Sequence, residues 1–172
     1  MNFEADLSFA QSDLTAEPLA AAPNGFAALG LNASLVSAVE KLGFTWPTPV
    51  QTAAIPAALA GSDLLASSQT GSGKTAAFIL PSVQRIFYAH PGGHPANEVR
   101  NQGRNAPRSL PRILVLVPTR ELALQVQSAA EDLTRGARRL RSVVVVGGTA
   151  YGQQLRMLRE GVDLVVATPG RL

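Results

Sequence analysis

The stretch that decides the fold is SSQTGSGKT, residues 67–75. Its end, Gly73, Lys74 and Thr75, matches the phosphate-loop pattern GxxxxGK[ST], although Ser68 replaces the first glycine of that pattern. In such a loop, glycines let the backbone N–H groups approach phosphates, the lysine reaches the β- and γ-phosphates and the hydroxyl binds Mg²⁺. The stretch therefore predicts a phosphate cradle. The alternative is a glycine turn beside a surface lysine.

The segments around this loop alternate between strand and helix patterns. A short apolar strand is predicted at 63–67, and the loop is expected to open a helix that runs to about Phe87. Further strands are predicted at 112–117, 141–147 and 163–168, and further helices at 32–43, 49–60, 119–133 and 150–159. Near-continuous apolar strands between helices are typical of a parallel sheet that is buried on both faces. The sequence thus predicts a doubly wound α/β domain.

The composition limits the class of protein. A chain of 172 residues is sufficient for one domain, and the absence of cysteine excludes disulfides and cysteine-based zinc sites. No uninterrupted apolar run of about eighteen residues is present, and no Lys or Arg precedes an apolar segment at the N-terminus. Neither a membrane span nor a secretory signal is expected, and we predict a cytoplasmic protein.

Charge is distributed unevenly along the chain. Residues 1–24 contain four acidic residues, no Lys or Arg, and several Ala and Pro, so a flexible tail is predicted there. Because the whole chain has a net charge of +3, the remainder is more basic than that value suggests. A basic body is compatible with a polyanionic partner such as nucleic acid.

The segment 88–111 interrupts the alternation with Pro, Gly, Asn and Arg, and it is too long for an ordinary connection. We predict a mobile surface loop. It contains His90 and His94, but two histidines without cysteine or a nearby carboxylate pair are more typical of polar loop residues than of metal ligands. Whether its arginines contact nucleic acid is left open.

Four further motifs flank the loop in a fixed order. They are GFTWPTPVQ at 43–51, preceded by Phe26, then PTRELA at 118–123, GG at 147–148 and ATPGRL at 167–172. Together with the phosphate loop, this set resembles the N-terminal RecA-like domain of DEAD-box ATP-dependent RNA helicases and, within them, is similar to the RhlE-like bacterial group. The resemblance covers residues 26–172. The family usually has Ala where this chain has Ser68, a small-for-small change that we expect to be tolerated.

The resemblance implies ATP and Mg²⁺ as cofactors. Gln51 would hydrogen-bond the adenine edge through its amide, and Phe26 would pack on the ring. Lys74 and Thr75 would be catalytic, with Thr75 also the metal ligand. The cofactor-binding set would further include the rest of the loop, namely Ser68, Gln69, Thr70, Gly71, Ser72, Gly73 and Ala76. Considered without the other motifs, Gln51 would be interpreted as a helix surface residue and Phe26 as a core residue.

The resemblance also implies an RNA track at the ends of the strands. Its predicted members are Pro118, Thr119, Arg120, Glu121, Gly147, Gly148, Thr168, Pro169, Gly170 and Arg171. These residues would contact phosphate and sugar, so binding would be largely independent of base sequence and sensitive to salt. The alternatives are helix-start residues, a glycine turn and a solvated arginine.

For the domain organisation we expect a tail at 1–24 and a RecA-like ATP-binding domain at 25–172 that is incomplete at its C-terminal end. The Asp-Glu-Ala-Asp motif and the second RecA-like domain, an expected partner, are absent from the sequence. The parent protein would hydrolyse ATP and unwind RNA locally, whereas this chain alone would only bind adenine nucleotide and, weakly, RNA. The alternatives are a generic P-loop NTPase or kinase and a non-enzymatic scaffold for a partner protein.

Overall fold

The computed structural model describes residues 24–88, 110–137 and 139–172. A short 3₁₀ helix at Ala27–Leu29 precedes the regular elements. The helices are α1 (Ala33–Lys41), α2 (Pro49–Leu59), α3 (Lys74–Phe87), α4 (Arg120–Thr134) and α5 (Tyr151–Glu160), and the strands are β1 (Ile113–Leu116), β2 (Ser142–Val145) and β3 (Leu164–Ala167). The predicted tail before residue 24 and the predicted loop between 88 and 110, with both histidines, lie outside the described residues.

The three strands form one parallel sheet in the order β1-β3-β2. Helix α4 connects β1 to β2, and α5 connects β2 to β3, so the central strand is the last in the chain. The three strands start level with one another, because Ile113 of β1 and Ser142 of β2 both pair with Leu164, the first residue of β3. This arrangement confirms the predicted α/β fold with a parallel sheet.

Both faces of the central strand β3 are covered, as the alternation of its side chains shows, whereas Leu114 and Leu116 of β1 are 53% exposed. Leu164 and Val166 lie in the larger core, to which α1, α3 and α4 contribute. Val165 and Ala167 lie in a smaller core on the opposite face, against Met157 of α5 and its neighbours. Successive side chains of a strand point to opposite faces, so an all-buried strand such as β3 needs helices on both sides.

Side-chain caps begin two of the predicted helices. The Asn32 side chain accepts a hydrogen bond from the Ser34 N–H at 2.9 Å, and the Thr119 hydroxyl accepts one from the Leu122 N–H at 3.2 Å. Each cap satisfies a donor that the helix itself leaves without a partner. In the part of the chain that the structure describes, no helix combines the length and the apolar character that a membrane crossing requires.

The strand predicted at 63–67 is not formed. The segment between Gly61 and the phosphate loop has no regular secondary structure, Leu64 is half exposed and Leu65 is fully exposed. An apolar segment becomes a strand only when a neighbour provides the other half of the hydrogen-bond ladder, and the observed sheet pairs only β1, β3 and β2. The strand prediction was therefore wrong for this structure, whereas the helix after the loop is present.

One buried carboxylate joins the starts of all three strands. Asp163, which precedes β3, is 5% exposed and forms ion pairs with Arg112 before β1 and Arg141 before β2, at 3.6 and 3.5 Å. Its Oδ2 also accepts a hydrogen bond from the Arg141 backbone N–H at 3.1 Å. These contacts hold the amino ends of the three strands together. The candidate site lies at the opposite, carboxyl ends of the strands.

Candidate functional site

The phosphate loop ends where α3 begins, at Gly73. This residue is the N-cap of α3 and has a φ of 87°, a left-handed conformation that favours glycine. The first helical hydrogen bond joins the Ala77 N–H to the Gly73 carbonyl at 3.2 Å. The N–H groups of Lys74, Thr75 and Ala76 precede that bond, so they have no partner within the helix and can bind an anion.

The Lys74 ammonium lies across its own loop. Its Nζ donates to the carbonyl oxygens of Ser68 and Gln69, both at 2.5 Å. The hydroxyls of Ser68 and Ser72 are hydrogen-bonded to each other at 2.7 Å, so the residue that replaces the usual glycine closes the loop from within. A phosphate entering the cradle would exchange the Lys74 contacts with carbonyls for contacts with charged oxygens, which form stronger hydrogen bonds.

Gln51 is joined to the phosphate loop and is 6% exposed. Its Oε1 accepts from the Thr48 N–H at 2.9 Å, and its Nε2 donates to the Gly73 carbonyl at 3.1 Å. The amide retains one further proton and one further lone pair with which to contact a base. The alternative of a helix surface residue is excluded by this burial.

Thr48 is a site residue that the sequence analysis missed. Its hydroxyl donates to the Ser72 carbonyl at 2.7 Å, so the start of α2 is attached to the loop at two points. The signal was present in the sequence, because Thr48 and Gln51 have the spacing of a capping box, in which both side chains turn towards the helix start.

Phe26 lies in the hydrophobic core and is 2% exposed. It precedes the 3₁₀ helix and is held there by a hydrogen bond from its N–H to the Asn24 side chain at 2.9 Å. The ring offers no exposed face to a base in this structure. Packing of Phe26 on adenine stays a prediction, and it would require the ring to become accessible.

The predicted RNA residues converge at the carboxyl ends of the three strands. The Val117 N–H donates to the Ala167 carbonyl at 2.9 Å, and the Thr168 N–H donates to the Val145 carbonyl at 3.1 Å. Across the gap between the loops, a Cβ added to Gly148 would lie 3.3 Å from the Arg120 guanidinium. The segments after β1, β2 and β3 therefore form one surface, on which Pro118, Thr119, Arg120, Glu121, Gly147, Gly148, Pro169 and Gly170 are exposed.

Arg171 is directed at the loop that follows β2 and is not fully solvated. Its Nη2 donates to the Thr149 carbonyl at 3.2 Å, and its guanidinium lies 5.2 Å from the centre of the Tyr151 ring. Gln154 supports the same loop, because its Nε2 donates to the Val146 carbonyl at 2.9 Å and to the Thr149 hydroxyl. The sequence analysis missed Tyr151 and Gln154, since neither belongs to a recognisable motif.

The only candidate metal ligand from the sequence, Thr75, lies half-buried in the first turn of α3 beside Lys74. Among the described residues, no group of three or more His, Asp or Glu side chains is arranged to hold a metal ion. Mg²⁺ retains several waters and takes one or two protein ligands together with phosphate oxygens, so a single hydroxyl at the phosphate cradle is compatible with it.

A parallel α/β domain with a phosphate loop at a helix start defines a nucleotide-binding class of protein. Comparison with known protein families narrows this class further. The model of the DEAD/DEAH box helicase family matches residues 48–172 of the chain. The chain belongs to that family. The match includes Gln51, the loop and the whole strand-end surface; Phe26 and Trp46 precede it.

Individual relatives agree with this assignment. The chain is 46% identical over 147 residues to a probable ATP-dependent RNA helicase, ddx27, of Dictyostelium discoideum, and 44% identical over 147 residues to the ATP-dependent RNA helicase DeaD of Escherichia coli K12. These alignments cover 86% of the chain but 17% and 20% of the two relatives. The chain thus spans about a fifth of their length.

A solved structure agrees as well. The crystal structure of a DEAD box protein from the hyperthermophile Methanococcus jannaschii superposes with a TM-score of 0.68 at 31% identity, over 86% of this chain and 35% of that one. The relatives come from bacteria and eukaryotes, so the narrower similarity to the RhlE-like group stays a prediction.

Proposed function

We propose that this chain is the nucleotide-binding part of a DEAD-box ATP-dependent RNA helicase, the N-terminal RecA-like domain of a longer protein. The observation that carries the proposal is the attachment of Gln51 to the phosphate loop, with its Nε2 at 3.1 Å from the Gly73 carbonyl. This contact connects the residue expected to read adenine with the residues expected to hold the phosphates. A generic P-loop NTPase or kinase requires no such connection.

In this proposal the loop residues bind the phosphates of ATP. The free N–H groups at the start of α3 and the Lys74 ammonium contact the phosphate oxygens, and the Thr75 hydroxyl contributes to Mg²⁺ binding. Hydrolysis in phosphate-transfer enzymes depends on positioned charges around the transferred group. The remaining charges would come from the second RecA-like domain and the Asp-Glu-Ala-Asp motif of the longer, cytoplasmic protein, so this chain alone is expected to bind and not to hydrolyse.

RNA is the proposed partner of the strand-end surface. Backbone N–H groups at the start of α4 and the exposed Gly147 and Gly148 allow phosphates to approach closely, while Arg120 supplies a positive charge beside them. Arg171, by contrast, is engaged with Thr149 and Tyr151, and we assign it the role of positioning the loop. The parent protein would couple these contacts to local strand separation.

The adenine contact can be tested by calorimetric titration of the chain with ADP and GDP. We expect ADP to bind more tightly than GDP, and Gln51→Ala to lower ADP affinity about thirtyfold, because a lost base-edge hydrogen bond and a loosened loop each cost about 1 kcal/mol. The exposed Gln153→Ala on α5 is the matched control and should leave both affinities unchanged. Equal binding of ADP and GDP by the wild type would favour the generic P-loop alternative.

The RNA contact can be tested by the salt dependence of binding to a single-stranded RNA. Arg120→Ala is expected to lower affinity about threefold at low salt for any base sequence and to reduce the salt slope by about one. Arg159→Ala, at the far end of α5, removes the same charge away from this surface and serves as the control. Equal losses in the two variants would mean that net charge alone governs binding.

A further inference from the structure

The outer edge of β2 is unpaired in the part of the chain that the structure describes. β2 is the last strand in the order β1-β3-β2, so a neighbouring strand covers only one of its sides. On that side the carbonyls of Arg141 and Val145 accept hydrogen bonds from N–H groups at the start of β3 and directly after it, both at 3.1 Å. Alternate residues of a strand direct their backbone groups to opposite sides. Ser142 and Val144 therefore present their N–H and C=O groups to the outer edge.

A cavity of about 710 Å³ lies against this edge. Gln127 and Glu131 of α4 line it from one face of the sheet, Met157 and Glu160 of α5 line it from the other, and Ser142 lies between them. Ser142 is 8% exposed, so its outward backbone groups receive little water, and a backbone group without a partner in such a position costs free energy. The groove thus has space for an added strand and backbone groups that such a strand would satisfy.

Residues 3–9, FEADLSF, have the alternating pattern of a strand. Apolar residues occupy every odd position of this stretch, and polar residues occupy every even one. The sequence analysis predicts a flexible tail here, but an alternating segment becomes a strand when a neighbour provides the other half of the ladder. Charged side chains are typical of edge strands, because they hinder further pairing. The stretch is therefore suited to the outermost position of a sheet.

The charge of the stretch is complementary to the amino end of β2. Its carboxylates are Glu4 and Asp6, and the residues that lead into β2 include Arg139 and Arg141. Among the described residues, no ion pair includes Arg139, whereas Arg141 pairs with Asp163. The groove also contains acidic side chains from α4 and α5, so the complementarity is confined to the end of the strand where the arginines lie.

The tail joins the domain close to this end of β2. The Asn24 side chain donates to the Phe44 carbonyl at 2.9 Å, and the Phe44 N–H donates to a carbonyl in the last turn of α1 at 3.0 Å. In the same helix, Ala38 packs against the turn between α4 and β2, because a Cβ added to Gly136 would lie 3.3 Å from its Cα. Residues 10–23 span roughly 45 Å when extended, which is enough to bring the alternating stretch to the groove.

We propose that residues 3–9 pair with the outer edge of β2 as an additional strand of the sheet. The added strand supplies hydrogen-bond partners for Ser142 and Val144 and fills the groove between α4 and α5. Its carboxylates lie near Arg139. The inference is independent of the proposed function, since neither the groove nor the tail belongs to the phosphate loop or to the strand-end surface.

The test is amide hydrogen exchange of the full 172-residue chain, measured residue by residue by NMR. We expect the outward N–H groups of Ser142 and Val144 to be protected, and the double variant Leu7→Pro/Ser8→Pro to raise their exchange rates about tenfold. Neighbouring N–H groups of a strand face opposite sides, so one of the two prolines must remove a ladder bond. The N–H of Val143, which faces β3, should stay protected in both proteins and reports that the domain remains folded.

Two matched controls place the substitutions elsewhere in the same tail. Leu14→Pro/Thr15→Pro introduces the same residues outside the stretch and should leave the exchange of the β2 edge unchanged. Glu4→Gln/Asp6→Asn should raise that exchange about threefold at low salt, because each exposed charge contact contributes less than about 1 kcal/mol. Asp13→Asn/Glu17→Gln removes the same charge outside the stretch and should have no effect.

Three outcomes would overturn the proposal. The first is rapid exchange of both outward N–H groups in the wild type, and the second is equal protection in the wild type and in Leu7→Pro/Ser8→Pro. The third is protection that increases with protein concentration, because it would place the tail of one copy on the edge of another. Protection that is independent of concentration and is lost only in the variants of residues 3–9 supports the intramolecular strand.

Discussion

Replacing Gly73 with Ala is expected to lower the affinity of the chain for ADP about a hundredfold. The left-handed φ of 87° at this position costs an L-residue about 1–2 kcal/mol. The added Cβ would also lie 2.3 Å from Gln51 Nε2 and 3.1 Å from its Cδ, so the buried amide must move away. Loop and adenine contact would be displaced together, and a hundredfold loss of affinity, about 2.8 kcal/mol, corresponds to the loss of two or three hydrogen bonds to the nucleotide.

Two controls separate these causes. Gly30→Ala introduces the same kind of strain at a φ of 84°, but its Cβ meets only Leu59 at 3.6 Å, an ordinary contact. It should lower stability by about 1 kcal/mol and leave ADP affinity unchanged. In a Gln51→Ala background the collision disappears, so Gly73→Ala should cost less there than in the wild type. If the losses of ADP binding free energy caused by the two substitutions were simply additive, the contact between Gln51 and the loop would not couple the two positions energetically.

The elements that could be predicted from the sequence are those specified by local pattern. Asn32 and Thr119 cap the predicted helices because a short polar side chain can satisfy the first free N–H groups whatever surrounds it. The apolar runs likewise became β1, β2 and β3; β2 and β3 are largely buried, whereas Leu114 and Leu116 of β1 are 53% exposed. The convergence of the motif residues also follows from local information, since the carboxyl ends of parallel strands meet at one edge of the sheet.

The features of the fold and of the candidate site that could not be predicted depend on tertiary contacts. The apolar pattern of 63–67 predicts a strand, but a ladder needs a neighbour, and that information is not contained in the segment itself. Phe26 has the same residue type whether it contacts a ligand or the core, and only the packing shows that it is buried. Arg171 is a residue type that commonly binds phosphate, and only the structure shows that its guanidinium contacts Thr149 and Tyr151, after β2. Thr48 was predictable from its spacing to Gln51.

Replacing Asp163 with Ala is expected to lower the free energy of unfolding by about 2 kcal/mol, the second large effect. The substitution leaves the Arg141 N–H without its acceptor and removes the carboxylate that pairs with Arg112 and Arg141. Losing one partner of a buried hydrogen-bonded charge costs more than losing an exposed pair, although the half-exposed arginines can be resolvated, which limits the loss. Asp163→Asn keeps an acceptor oxygen and should recover part of the stability in denaturant unfolding.

The exposed pair of Asp132 and Arg135 provides the matched comparison. Its atoms approach more closely, at 2.6 Å, than either arginine approaches Asp163, but the side chains are 43% and 78% exposed. Water and salt screen such a pair, so Asp132→Ala should change stability by less than about 1 kcal/mol despite the shorter distance. Equal losses at the two sites would contradict the role of burial. A larger loss for Asp163→Ala at both low and high salt would show that the carboxylate stabilises the sheet edge from a desolvated position.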